Sequence, residues 1–190
     1  MFHSDNHLMS EKFHLRNVLK DDLRRLAEPC PMSFLKEYFF PRGNMFRYVF
    51  WFRILQKCKR TKMLGVLLPF VYMIYRHYEF KYQIHGNSNI DVGPGLKIVH
   101  GDGVHLNASA IGNNFTCYQG VTLGEKGGLP IIGNNVTIYP GAVVVGPVTL
   151  NDSCIIGANA FVNKDIPAGE IWGGVPAKKI NNSKNNEINN

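Results

Sequence analysis

From residue 132 the chain reads IGNNVT IYPGAV VVGPVT LNDSCI IGANAF VNKDIP, ending at residue 167. An aliphatic side chain heads every hexad: Ile132, Ile138, Val144, Leu150, Ile156 and Val162. A helix returns its apolar face about every 3.6 residues and a strand every two. Neither keeps a face at period six. A coil with three short sides does: each hexad is one side, and its leading aliphatic points inward onto its counterpart one coil away. Small fifth-position residues (Ala142, Cys154, Ala160) and Gly or Asn between the aliphatics let the chain turn each corner. One such coil cannot bury its own core, but a stack of them can.

Backward from Ile132 the same frame gives VGPGLK, IVHGDG, VHLNASA, IGNNFT and CYQGVT, beginning at Val92, Ile98, Val104, Ile111 and Cys117. The frame carries one surplus residue, placed at Ala110. A longer insertion follows Leu123, where residues 125–130 read EKGGLP. Insertions in a solenoid become loops on one face, and such loops on a rigid scaffold often carry function. The expected architecture is therefore mainly β. An α-helical region over residues 1–82 precedes a parallel β-helix over residues 83–180, and an Asn-rich, low-complexity tail over 181–190 is expected to be disordered.

The helical expectation rests on residues 10–28, where Leu15, Val18, Leu19, Leu23 and Leu26 recur at helical spacing. Asp21, Asp22, Arg24 and Arg25 fall on its other faces, and Pro29 and Pro31 end it. A short aromatic piece spans residues 34–40. Residues 46–82 are richer still, FRYVFWFRILQKCKR and then MLGVLLPFVYMIYRHYEFKY. The apolar run at 63–75 is too short to span a bilayer and contains Pro69. Lys57, Lys59, Arg60, Lys62, Arg76 and Lys81 flank it. That pattern suits a helix lying in a membrane interface, and equally helices packed on the solenoid base or on neighbouring subunits.

Charge separates the two halves. Residues 1–82 hold 15 Lys/Arg against 7 Asp/Glu, whereas residues 83–190 hold 6 against 7. A basic half can face an anionic membrane, an anionic substrate or nucleic acid. No groove-reading helix, zinc finger or RNA-binding sheet is evident, so nucleic acid is not expected. Cys30, Cys58, Cys117 and Cys154 have no CxxC spacing and no zinc pattern, so they are expected to be reduced in a cytoplasmic protein, with no metal. Residues 1–10 are polar, and no secretory leader is expected.

No P-loop, dinucleotide fingerprint, GxSxG elbow or HExxH occurs. The chemistry points instead to IVHGDGV, where His100 follows the inward Ile98 by two positions and is flanked by Gly101 and Gly103. His100 is thus expected at a coil corner, facing out, with open space before it for a hydroxyl. Imidazole is the side chain best suited to accept a proton near neutral pH. General-base catalysis contributes about two to four orders of magnitude in rate. His105, on the next hexad, is a weaker candidate, and His85 and His77 weaker again.

These pieces carry a resemblance. VGPGLKIVHGDGV, YQGVTLG, IGANAFVNKDIPAG and the terminal GGVPAKKI resemble the serine acetyltransferase branch of the left-handed β-helix acyltransferases over about half the chain. The resemblance implies a left-handed coil, a homotrimer, and acetyl-CoA as co-substrate in the cleft between subunits. It implies that His100 deprotonates the acceptor hydroxyl, which attacks the thioester directly. It places Gly124, Pro140 and Ala158 on the strip facing CoA; Pro140 and Ala158 are 18 residues apart, one full coil. Lys178 and Lys179 would reach the CoA phosphates as point charges, or are simply solvated.

The chain also departs from that branch. Serine acetyltransferases carry an Asp directly before the catalytic His, where Val99 stands here. They carry another Asp fifteen positions earlier, where an ungapped alignment puts His85. Their inserted loop holds an Arg-His pair, which residues 125–130 lack. Asp91, Asp102 and Glu125 are the candidates for orienting His100. Without those groups a free zwitterionic amino acid fits poorly. The N-terminal basic-aromatic segment, too, is closer to the serine acetyltransferase-like enzymes of capsule and exopolysaccharide pathways. The reaction expected is acetyl transfer to a sugar hydroxyl of a surface-polysaccharide precursor, either a small molecule or lipid-linked, the latter met at the inner membrane face through residues 46–82. L-Serine O-acetylation and a non-catalytic trimeric scaffold are the alternatives.

Overall fold

The computed structural model describes residues 15–26 and 45–182. The aromatic piece at 34–40, Pro29, Pro31 and all but the first two residues of the Asn-rich tail lie outside them. Among the described residues three α-helices precede the coils: α1 (Leu15–Leu26), α2 (Phe46–Arg60) and α3 (Leu68–Tyr82), the last entered through a 3-10 turn at Lys62–Leu67. About five coils follow, built from strands of two to five residues.

Each of the first four coils contributes one strand to each of three sheets of parallel strands, and the fifth meets the second sheet only through the Leu150–Ile166 bridge. The first sheet holds β1 (Ile84–Gly86), β4 (Val104–Leu106), β7 (Thr122–Gly124), β10 (Val143–Val145) and β13 (Phe161–Val162). The second holds β2 (Asp91–Val92), β5 (Ala110–Ile111), β8 (Ile131–Ile132) and β11 (Thr149–Leu150). The third holds β3 (Lys97–Ile98), β6 (Thr116–Cys117), β9 (Thr137–Ile138), β12 (Ile155–Ile156) and β14 (Glu170–Gly173), closed by the antiparallel β15 (Lys178–Asn182). The β-helix with a helical N-terminal region expected from the repeat is the fold observed. β15 runs two residues into the tail that the composition marks as unstructured.

Every hexad head from Ile132 to Val162 is buried, and so are the fifth-position residues Val136, Ala142, Val148, Cys154, Ala160 and Ile166. Each fully buried aliphatic of this size contributes about 1.5–3 kcal/mol of transfer free energy. The corners are held by backbone geometry. At the turn from the second sheet to the third, Asn114, Asn135 and Ser153 all adopt positive φ. The Asn114 side-chain amide donates to Asn135 Oδ1 at 3.0 Å, so the corner is stitched from coil to coil.

The helices cap the open end of the first coil, as the end of a solenoid requires. Arg53 of α2 is buried; its guanidinium donates to both carboxylate oxygens of Asp22 (2.8 and 3.2 Å) and to the carbonyls of Val92 (2.6 Å) and Gly93 (2.7 Å). Asp22 Oδ1 in turn accepts the Gly95 and Leu96 amides at 2.8 and 2.9 Å. Asp22 therefore faces inward rather than lying on an outer face of α1, because a buried carboxylate is tolerable when every lone pair has a donor. Of the two arrangements open for residues 46–82, packing on the solenoid base is present for one side of the helices.

Candidate active site at a coil corner

The register places the irregularity of the repeat at the corner carrying His100, not at Ala110. Ile98, Cys117, Ile138 and Ile156 stack in the third sheet. His105 stands opposite Thr122, so Val104 stands opposite Val121, and Ala142 and Ala160 continue that inner column. Between the two columns the lower coils have three residues, YQG, YPG and GAN, whereas the first has five, VHGDG.

Backbone hydrogen bonds identify the extra pair. The amides of Val99, Tyr118 and Tyr139 donate to Cys117, Ile138 and Ile156, which aligns Val99 with Tyr118, Tyr139 and Gly157. Gly120 N donates to Asp102 O (3.1 Å), Gly141 N to Gln119 O (3.0 Å) and Asn159 N to Pro140 O (2.9 Å), which aligns Asp102 with Gln119, Pro140 and Ala158. His100 and Gly101 have no counterpart in any lower coil. His100 is pushed out of the corner by a two-residue insertion, and its side chain is exposed. The apparent surplus at Ala110 arises because the shorter stretch after Leu106 absorbs one of the two.

The turn is braced from behind. Gly101 is buried, and a Cβ on it would lie 2.1 Å from the Tyr82 carbonyl oxygen at the end of α3. Gly103 N donates to Gln83 O at 3.0 Å. Below the turn, Tyr118 and Tyr139 stack with ring centroids 5.3 Å apart. In the neighbouring column Gln119 Oε1 is buried and has no hydrogen-bond partner among the described residues. An unpaired buried acceptor costs about 1–3 kcal/mol. Gln119 was not singled out by pattern; the available signal was its position in YQG, one coil below VHGDG.

Of the expected CoA strip, Pro140 and Ala158 share one column on the His100 corner, Ala158 exposed. Gly124 lies elsewhere in the same chain: it ends β7, the central strand of the first sheet, at the strand end away from the His100 corner and beside the inserted loop. Thr122 N donates to Ala142 O and Gly146 N to Gly124 O, so ladder alternation commits the Gly124 amide to its neighbour strand. The amides of His100, Gly101 and Asp102, by contrast, have no acceptor among the described residues. Lys178 and Lys179 sit on β15 at the far end of the stack. Lys179 Nζ is 2.6 Å from Glu170 Oε1, and Trp172 Nε1 donates to Glu170 Oε2 at 2.7 Å. Those two bonds, Lys179's first, hold the Glu170 carboxyl below its ordinary range.

The three candidate partners for His100 separate. Asp91 lies on the second sheet, paired with Arg60. Glu125 lies in the loop beyond Gly124. Asp102 shares the His100 turn and is exposed. His85, at the position where the resemblance calls for an aspartate, lies in register with His105 across the first sheet, their ring centroids 5.0 Å apart and the rings tilted by 35°. Among the described residues no group of three or more His, Cys, Asp or Glu could hold a metal.

Residues 130–164 match the family model "bacterial transferase hexapeptide (six repeats)". Among curated relatives, the serine acetyltransferase of Helicobacter pylori strain J99 is 41% identical over 104 residues, 52% of this chain and 60% of that protein. The chain thus spans less than two thirds of the length of such relatives. Among solved structures, Neisseria gonorrhoeae serine acetyltransferase in complex with serine superposes with a TM-score of 0.71 at 22% identity, over 92% of this chain and 72% of that one. A serine acetyltransferase in complex with CoA gives 0.71 at 20% identity, over 86% and 68%.

Proposed function

We propose that the protein is an acetyl-CoA-dependent O-acetyltransferase of the serine acetyltransferase type, with His100 as general base. The observation that carries this is the two-residue insertion that lifts His100 out of an otherwise regular corner. A neutral His100 nitrogen takes the acceptor's hydroxyl proton as that oxygen attacks the thioester carbonyl carbon. The tetrahedral oxyanion then expels the CoA thiolate, which recovers the proton from His100. Amides of the inserted turn are the donors nearest to hand for the oxyanion. CoA would lie along the Pro140–Ala158 column, which runs from the His100 corner toward β15, where Lys178 is the cation left for a phosphate. With Gly124 at the strand end away from the His100 corner, the cleft is completed by a neighbouring subunit, in a homotrimer of about three times the 21.4 kDa chain mass.

L-Serine is the acceptor that the relatives support. A sugar hydroxyl of a surface-polysaccharide precursor is a second reading, favoured by two features of this chain. Residues 125–130 hold no Arg or His to grip a carboxylate, and His85, set against His105, stands where the resemblance calls for an aspartate. Gln119 Oε1 fits either acceptor, since it can accept from an ammonium or from a sugar hydroxyl. Thiol release from acetyl-CoA decides between them. Rapid turnover with L-serine excludes the sugar reading. Turnover with a panel of hexoses and nucleotide sugars, and none with serine, excludes the other. The cytoplasm is the compartment that supplies acetyl-CoA and keeps these cysteines reduced.

A further inference from the structure

Helix α3 is finished on one side only. Val71, Tyr75 and Glu79 face inward and are buried, with Leu68, Tyr78 and Tyr82 packed beside them. On the opposite side, Phe70, Met73 and Phe80 are 59, 62 and 62% exposed, and Val66 of the preceding turn is 90% exposed. Positions 66, 70, 73, 77 and 80 recur at spacings of three and four, so they form one continuous stripe along the helix. Isolated exposed apolar residues are ordinary, but an aligned row of large ones is not.

The charge around the stripe is of one sign. Arg76 borders it on one side, its guanidinium 4.5 Å from the Phe80 ring centroid, and Lys81 borders it on the other. His77 lies within it. Residues 46–82 carry 8 Lys/Arg and a single acid, Glu79. That acid is buried, accepting from Arg76 (2.5 Å) and the Gly86 amide (3.2 Å), so no carboxylate of this segment reaches the exposed face.

We propose that this face of α3 docks flat on an anionic phospholipid bilayer, Phe70, Met73 and Phe80 entering the interface and Arg76 and Lys81 meeting the headgroups. An amphipathic helix with large apolar residues and a basic rim binds in that way. None of the described helices is long and apolar enough to cross a membrane, so the contact is superficial. A second copy of the chain suits the face less well. A two-fold contact would bring the basic rims of both copies, Arg76 and Lys81, into one interface, where the one acid of the segment, Glu79, is buried and already paired with Arg76. The inference is independent of the acetyl-transfer reading, although the same helix ends at the Tyr82 carbonyl that braces the His100 turn.

The test is co-sedimentation of the full chain with vesicles of phosphatidylcholine alone and of phosphatidylcholine with phosphatidylglycerol. The protein is expected to bind the anionic vesicles and to dissociate as salt rises from about 0.05 to about 0.5 M. Phe70→Asp with Met73→Asp should reduce binding at least about tenfold, and Lys81→Glu by about fivefold or more. Circular dichroism and thermal melts confirm that each variant is folded. No binding to anionic vesicles at low salt overturns the proposal, as does equal binding by wild type and both variants. A fall in solution mass by light scattering on Phe70→Asp with Met73→Asp also overturns it, because a second copy would then cover the face.

Discussion

Gly101 packs against Tyr82 so closely that a side chain on it would stand 2.1 Å from the Tyr82 carbonyl oxygen. The turn bearing His100 is therefore seated on the end of α3, and its position is fixed by backbone contact. Gly101→Ala must push the turn outward, since the obstructing atom is backbone. Misplacing a catalytic group by about 1 Å can cost on the order of a hundredfold in rate. The expected result is a fall in kcat of at least about tenfold, with acetyl-CoA KM changed less and the far-ultraviolet circular dichroism of the coils retained.

Gln119 makes a paired prediction. Its buried Oε1 lacks a partner among the described residues, so Gln119→Leu removes an unsatisfied acceptor and should leave stability unchanged or raise it by about 1 kcal/mol. If the acceptor substrate supplies the missing donor, the same change raises acceptor KM by about tenfold or more and spares acetyl-CoA KM. Urea unfolding and steady-state kinetics on one preparation check both halves. A loss of stability with unchanged acceptor KM would assign Gln119 to the scaffold.

The Asp22–Arg53 pair ties the helical cap to the first coil. Both groups are fully buried, and removing one leaves the other charge buried alone, at a cost of about 3–5 kcal/mol. Asp22→Ala or Arg53→Ala should each lower the unfolding free energy by about that amount in urea titration. The double substitution should cost less than the two singles added together.

Cys117 and Cys154 give a pH prediction. Burial pushes both thiols up to about 12, from an ordinary 9.0. In the folded chain they stay protonated where the unfolded chain has begun to ionise. The unfolded state then binds fewer protons, so stability declines as pH rises through about 9 and toward 12. At pH 8 neither thiol should react with a disulfide reagent until the protein unfolds, and quantified labelling with and without urea checks this.

The six-residue period made the coil legible because its signal is a buried side chain at every sixth place, repeated along the stack. The helical cap was legible only in outline. Asp22 and Arg53 look like surface charges in sequence, and only the approach of α2 to the Gly93–Leu96 turn makes them a buried pair. His100 was legible as a corner residue, but the source of its projection was not. The two extra residues of VHGDG are partly cancelled by the short stretch after Leu106, so counting from Val92 to Ile111 shows a surplus of one at the wrong place. Gln119 had no pattern to mark it, since an unpaired atom is a property of packing.

The most direct test of the central claim is His100→Ala, assayed by thiol release from acetyl-CoA with whichever acceptor the wild type turns over. A lost general base predicts a fall in kcat of about two to four orders of magnitude, with the solution mass and unfolding midpoint unchanged. A rate within about twofold of wild type, where a general base is worth at least about a hundredfold, would contradict the assignment of His100 as the base.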